Sequence, residues 1–280
     1  QHVGMAKDIF EKYPAVQKIY NTVSELCRID IAKLLFVGPA SELKKSENAQ
    51  IAILTMSLAI YQILTEAGIN PLLMAGHSLG EYSALISAGA MNIKTGVKIV
   101  RKRGQLMAQA CSDKPGAMAA INKISINKLE NICKKVRDSD YVEISNYNSP
   151  EQYVISGTRQ GVEAVALLAK TNGSKVIFLP VSGAFHSILM KEASDKFSEA
   201  IKNIDIRKAV CPIIGNVNAS VLQSPSDIAE EMQKHMLSPV KWTESIQKML
   251  NMGICTFIEV GPGHVLKGLI LRIDRKAEVY

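Results

Sequence analysis

Residues 75–85 read Ala75-Gly76-His77-Ser78-Leu79-Gly80-Glu81-Tyr82-Ser83-Ala84-Leu85. One serine stands between two glycines, at the junction of a short apolar run, Pro71 to Ala75, and a stretch of helical character from Glu81 to Ser87. The spacing Gly76-x-Ser78-x-Gly80 predicts a nucleophile elbow, where a strand turns abruptly into a helix. Glycine before the serine tolerates the bend, and glycine after it is expected to let helix and strand approach closely. Ser78 then stands out from the sheet edge. The Leu79 N–H lies at the helix N-terminus, where it can stabilise a developing oxyanion.

The rest of the chain is ordinary in composition. With 280 residues, 47% of them apolar and 21% charged, it can bury one large core or two unequal ones. Five scattered cysteines, Cys27, Cys111, Cys133, Cys211 and Cys255, form no CxxC pair, and no HExxH occurs, so neither disulfides nor a metal is expected and a cytoplasmic setting fits. No leader-like segment opens the chain. The apolar run from Ile51 to Leu64 is shorter than the ~20 residues that span a bilayer and reads as a buried core helix, with no membrane partner. A formal charge of +7 favours an anionic partner. Nucleic acid is disfavoured by dispersed lysines, 5% aromatics and the lack of a binding motif, which leaves an acidic protein or a nucleotide-bearing substrate. Gly261-x-Gly263 lacks the third glycine of a dinucleotide fingerprint.

After Pro115 short elements alternate. Strand patterns at Gly116 to Ile121, Tyr141 to Ser145, Gln152 to Ser156 and Lys175 to Val181 are interleaved with helical patterns at Ser125 to Val136 and Gln160 to Lys170, and a turn is expected at Asn146 to Pro150. That order is the split βαβ, or ferredoxin-like, unit. The expected architecture is α/β: a large α/β-hydrolase-like domain, residues 1–115 and 184–280, with a mostly parallel sheet, and an inserted ferredoxin-like subdomain, residues 116–183. Strands of the large domain are expected at Leu72 to Ala75, Pro212 to Gly215 and Thr256 to Val260, with the active site at their carboxyl ends.

A serine hydroxyl needs a base, and histidine suits that role near neutral pH. Of the five histidines, His2 is near a terminus, His77 adjoins Ser78 and should point away from it, His235 lies in a helical pattern over Ser226 to Met236, and His264 follows a Gly-Pro-Gly turn as a surface residue. His186, in Val181-Ser182-Gly183-Ala184-Phe185-His186-Ser187, stands where the chain leaves the small subdomain, and clefts form at such junctions. Arg103 lies one helical turn from Val100 and from Met107, which allows it to point inward; an inward arginine needs a carboxylate or phosphate.

Taken together, Gly76-His77-Ser78-Leu79-Gly80-Glu81-Tyr82, Arg103 in Arg101-Lys102-Arg103-Gly104, Asn148-Ser149-Pro150-x-Gln152, Gly183-Ala184-Phe185-His186-Ser187, Pro239-Val240-x-Trp242 and Glu259-Val260-Gly261-Pro262-Gly263 resemble the malonyl-CoA:acyl carrier protein transacylases and the related acyltransferases of polyketide synthases, over almost the whole chain. The resemblance implies transfer of a malonyl group from malonyl-CoA, through a malonyl-serine on Ser78 with His186 as base, to an acidic acyl carrier protein, in fatty-acid or polyketide synthesis. It implies Arg103 on the malonyl carboxylate, Phe185 crowding out an α-methyl group, and His77 and Asn148 lining the substrate channel. No cofactor and a monomer are expected.

Three departures from the family pattern stand out. Members begin with a strand running into a Gly-Gln-Gly-Ser-Gln loop whose first glutamine backs the oxyanion hole, whereas this sequence opens at Gln1-His2-Val3-Gly4-Met5, at that loop's last residue. His235 occupies a position often held by glutamine, in the region expected to orient His186 by a backbone carbonyl, and His264 stands where many members carry lysine. Two other readings use the same residues: a hydrolase that strips acyl groups from carrier proteins, disfavoured by a buried Arg103, and a non-catalytic carrier-protein docking module, disfavoured by the presence of both Ser78 and His186.

Overall fold

The apolar run that reads as a core helix is the middle of one helix, Ser46–Glu66, in the computed structural model, which describes residues 2–280. Gln1, the loop residue noted above, lies outside the described residues. The helix is long and apolar enough to cross a membrane by length and composition alone. Here it packs against the helices Pro14–Cys27, Leu79–Ser87 and Ile93–Asp113, burying Ile51, Leu54 and Leu58 in a core shared with Tyr20, Tyr82 and Phe197. The hydroxyl of Thr55, buried with them, donates to the Ile51 carbonyl at 2.7 Å and so carries no unpaired polar group inward.

The fold is mixed α/β with small sheets. Among the described residues the strands are β1 (Met74–Ala75), β2 (Ala117–Asn122), β3 (Val142–Ser149), β4 (Gln152–Gly157), β5 (Lys175–Phe178), β6 (Ile213–Ile214), β7 (Val221–Leu222), β8 (Thr256–Phe257) and β9 (Glu278–Val279). β1 pairs in parallel with β6, and β8 in parallel with β9, but β7 runs antiparallel to β6. The parallel sheet therefore occurs as two separate pairs. β1 and β8 both line an apolar cavity of about 390 Å³, along with Trp242, Ile246 and Leu266. β1 and β6 are each two residues long: Pro212, just before β6, cannot donate to the ladder, and Gly76 and Gly215 follow its last rung.

Residues 117–178 form a βαββαβ unit with the helices Ile126–Arg137 and Arg159–Thr171 and an antiparallel sheet in the order β3-β4-β2-β5. It has its own apolar core, centred on Ile121, Leu129, Ile155 and Val165. The expected turn at Asn146 to Pro150 is a correction: β3 continues to Ser149, through two register irregularities, and only Pro150 and Glu151 turn. Turn-forming side chains are tolerated there because Ser145 bonds to Asn146 Oδ1 and to the Val154 carbonyl. The backbone of Tyr147 is also held from outside the sheet, its N–H donating to Val240 O at 2.9 Å while Val240 N–H donates to Ser145 O at 2.8 Å.

The elbow shows which glycine permits close approach. A Cβ on Gly76 would lie 1.9 Å from the Gly80 carbonyl carbon and 2.4 Å from Glu81 N, whereas a Cβ on Gly80 meets nothing within 4 Å. The expectation that Gly80 lets helix and strand approach closely is thus corrected; the close approach is at Gly76. Gly76→Ala is expected to destabilise the protein by about 3 kcal/mol, the upper end for overpacking, and Gly80→Ala, within a helix, to cost nothing or stabilise by up to ~1 kcal/mol. Urea midpoints at constant slope check both.

Candidate active site

Ser78 caps the helix Leu79–Ser87 with φ +51° and ψ −109°. Such a backbone costs about 1–3 kcal/mol on a residue other than glycine and persists only where its surroundings enforce it. It projects the side chain toward His186, with Ser78 Oγ and His186 Nε2 2.7 Å apart. His186 itself has φ +54° and is buried. Its Nδ1 is 3.1 Å from the His235 carbonyl and 3.0 Å from the Ser238 carbonyl. Carbonyls only accept, so Nδ1 carries the hydrogen, and Nε2 is left bare to accept from Ser78.

His235 thus meets His186 Nδ1 through its backbone, at the C-terminal end of the helix Pro225–Lys234. Its ring sits edge-on, 5.5 Å from the ring of His186, and makes no hydrogen bond to it. Among the described residues the Ser78 N–H is taken by Asn216 Oδ1 at 2.7 Å, while the Leu79 N–H has no partner. Leu79 therefore presents a free donor beside Ser78, at a helix N-terminus.

Arg103 points inward from the helix Ile93–Asp113 and is 1% exposed. Nη2 donates to Ser78 Oγ at 3.2 Å and Nη1 to Gln50 Oε1 at 2.6 Å; the guanidinium carbon lies 5.4 Å from the centre of the Tyr82 ring. Nε is buried without a hydrogen-bond partner. The arrangement leaves a cation with an unused donor next to the serine.

Burial first, then the Arg103 charge and His77, hold His186 far below the usual histidine range, at about 3. At neutral pH it is an uncharged acceptor. His77 does point away from Ser78, as expected: Nε2 lies 2.8 Å from Asn148 Oδ1 of β3, and the ring packs edge-on against Trp242. Phe185 is half-buried against the main core, and its ring passes over Gly183, where a Cβ would come within 3.1 Å of it. His264 is exposed, as expected.

Sequence reasoning missed Gln50, Asn216, Glu81 and Glu231. Glu81 is fully buried; burial first, then the nearby Glu231 carboxyl, hold it well above the usual carboxylate range, which favours its neutral form. Glu81 Oε2 accepts from Asn216 N–H at 2.8 Å and Glu231 Oε1 from Val217 N–H at 2.7 Å. Gln50 had a weak signal as a polar residue entering an apolar helix. Asn216 had none beyond following a short strand.

A sequence model of the acyl transferase domain matches residues 1–275. The chain belongs to this family. Its relatives include the malonyl CoA-acyl carrier protein transacylases of Bacillus subtilis (strain 168), 44% identical over 99% of this chain and 88% of that protein, and of Haemophilus influenzae, 38% identical over 98% and 88%. Among solved structures, the malonyl CoA-acyl carrier protein transacylase of Coxiella burnetii superposes with a TM-score of 0.97 at 37% identity, covering 100% of this chain and 89% of that one. A malonyl-transacylase solved in complex with its type II polyketide synthase acyl-carrier protein gives 0.97 at 35% identity, over 100% and 91%.

The buried histidines set a pH dependence. His77, His186 and His235 are all lowered by burial, so in acid the unfolded chain, whose histidines titrate near 6.5, binds protons that the native state refuses. Stability should fall as pH drops below about 6.5, by up to ~1.4 kcal/mol per pH unit for each histidine that stays neutral in the native state, His186 doing so down to about 3. The proton on Glu81 is bound by the native state and offsets part of this loss. Urea midpoints at pH 5 and pH 7 should show the fall. The rate at which a fluorophosphonate labels Ser78 should show no inflection near pH 6.5, because His186 stays neutral there.

Proposed function

We propose that this chain transfers a malonyl group from malonyl-CoA to the phosphopantetheine thiol of an acyl carrier protein through malonyl-Ser78. The observation that carries this reading is the buried Arg103 guanidinium, with an unused Nε–H, beside a Ser78–His186 pair of 2.7 Å. A buried cation is costly unless an anion meets it, and a carboxylate matches its planar fork. The names of the relatives agree with this reading.

Ser78 Oγ attacks the thioester carbon and its proton passes to His186 Nε2. The oxygen of the tetrahedral intermediate takes negative charge and is met by the Leu79 N–H. Collapse breaks the carbon–sulfur bond; the coenzyme A sulfur leaves with the electron pair and recovers the proton from His186. In the second half the carrier thiol gives its proton to His186 and attacks malonyl-Ser78, and Ser78 leaves with that proton. Protons and electron pairs balance over Ser78, His186 and the two thiols, so the scheme includes no cofactor. Because Nδ1–H is held by two carbonyls, the transient imidazolium is stabilised without a carboxylate, and its low pKa favours rapid return of the proton.

In the same reading, residues 1–115 and 184–280 are an α/β-hydrolase-like catalytic domain, and 116–183 an inserted ferredoxin-like subdomain with Asn148 and, through it, His77 at the channel. Phe185 narrows the acyl pocket against an α-methyl group. His235 orients His186 through its carbonyl. The net charge of +7 suits an acidic carrier protein, and five free cysteines suit a reducing, cytoplasmic setting. The protein is taken to act as a monomer, away from nucleic acid and membranes.

Intact-protein mass spectrometry after mixing with malonyl-CoA, followed by a phosphopantetheinylated carrier protein, tests the scheme. A malonyl adduct on Ser78 that moves to the carrier is expected, and its loss to water instead would mark a hydrolase. Ser78→Ala should take no adduct. Arg103→Ala should load malonyl about 100-fold more slowly, the equivalent of ~3 kcal/mol from a charged hydrogen bond, and load acetyl from acetyl-CoA no worse than the parent. Equal losses on both substrates would make Arg103 structural.

A further inference from the structure

The ladder between β1 and β6 pairs Met74 with Ile213 and Ala75 with Ile214, then ends. Its next rung would join Gly76 to Gly215 and would need the Asn216 N–H on the Gly76 carbonyl, but that N–H donates to Glu81 Oε2 at 2.8 Å. The groups this leaves at the elbow are met by a side chain. Asn216 Nδ2 donates to the Gly76 carbonyl at 2.7 Å, and Asn216 Oδ1 accepts from the Ser78 N–H at 2.7 Å. The carboxamide acts as a peptide group set into the ladder, one end accepting and the other donating.

Asn216 is 1% exposed, and its backbone is engaged as well. Its N–H donates to Glu81 Oε2 at 2.8 Å, and its carbonyl accepts from the Lys241 N–H at 2.9 Å. Lys241 follows Ser238 by three residues, and the Ser238 carbonyl holds His186 Nδ1. Gly215 contributes by what it lacks, since a Cβ there would lie 2.8 Å from the Glu231 carboxyl. One residue thus touches the backbone on both sides of His77, the helix that starts at Leu79, and the segment that orients the base.

We propose that Asn216 is the positioning residue of the elbow: its carboxamide holds the Ser78 backbone in its left-handed conformation and keeps Ser78 in register with His186. By occupying the Ser78 N–H it also leaves the Leu79 N–H as the donor free for an oxyanion. No other side chain reproduces this. Aspartate accepts but, when ionised, cannot donate to the Gly76 carbonyl; serine reaches one group and not both; glutamine places its amide one carbon too far. The inference rests on Ser78 being the acyl-accepting nucleophile.

The test uses the whole protein and the variants Asn216→Ala and Asn216→Asp, the latter close to isosteric, with thermal melts to confirm that folded protein enters each assay. Malonyl loading of Ser78 is followed by rapid quench over a range of malonyl-CoA concentrations. Both variants should lose at least 30-fold in the maximal loading rate, with the half-saturating malonyl-CoA concentration within two-fold of the parent. Labelling by a fluorophosphonate, which needs the elbow and the free donor but not Arg103, should slow by a similar factor. Wild-type loading and labelling rates in either folded variant would overturn the proposal. So would a raised half-saturating concentration at an unchanged maximal rate. If the unaltered protein accepts no malonyl group, the proposed function fails, and the fluorophosphonate rates still decide the role of Asn216.

Discussion

A guanidinium closed off from water next to the nucleophile constrains everything around it. Arg103 cannot shed its proton at physiological pH, so the interior must be arranged to tolerate a fixed positive charge. Gln50 supplies a neutral acceptor, Tyr82 the face of a ring, and Ser78 an oxygen. None of these cancels the charge. The consequence reaches His186, whose protonation is opposed by burial and then by Arg103. A base that stays neutral and a cation that awaits an anion are two results of one placement.

That placement also accounts for the absence of a carboxylate at His186 Nδ1. An acid there would compete with an anionic substrate for the arginine and would raise the basicity of the imidazole. Two backbone carbonyls fix the tautomer with partial charges only. Of the nearby acids, Glu81 is held well above the usual carboxylate range by burial and by Glu231, and the oxygens of the two accept the backbone N–H groups of Asn216 and Val217. They hold a loop in place through its backbone N–H groups.

Much of this could be read from the chain. The elbow was legible because a serine between glycines at a strand-to-helix junction has few other uses, and Arg103 because helical spacing put it on the side of Val100 and Met107. The βαββαβ order was legible from alternating short patterns. The end of β3 was not: Asn146, Asn148, Ser149 and Pro150 are turn formers, and what keeps that segment extended is a partner nearly a hundred residues away, Val240. The parallel strands were overestimated in length for a related reason, since hydrophobicity marks a buried segment without saying how much of it finds a ladder. Gln50 and Asn216 were invisible because their importance comes from tertiary geometry, one amide at a guanidinium and the other in place of a peptide.

The stitch between β3 and Val240 bears on how the site can move. Two backbone hydrogen bonds, from Tyr147 and from Val240, with the Thr243 hydroxyl on the Tyr147 carbonyl, join the antiparallel sheet to the segment that leads from Ser238 into the helix Trp242–Asn251. The helix N-terminal to that stitch ends at the carbonyl that orients His186. Prising the two parts open like a clamshell would therefore break the ladder and disturb the base in one motion. The sheet and the base are thus one mechanical unit: whatever shifts β3 also shifts the carbonyls that keep the His186 Nδ1 hydrogen in place.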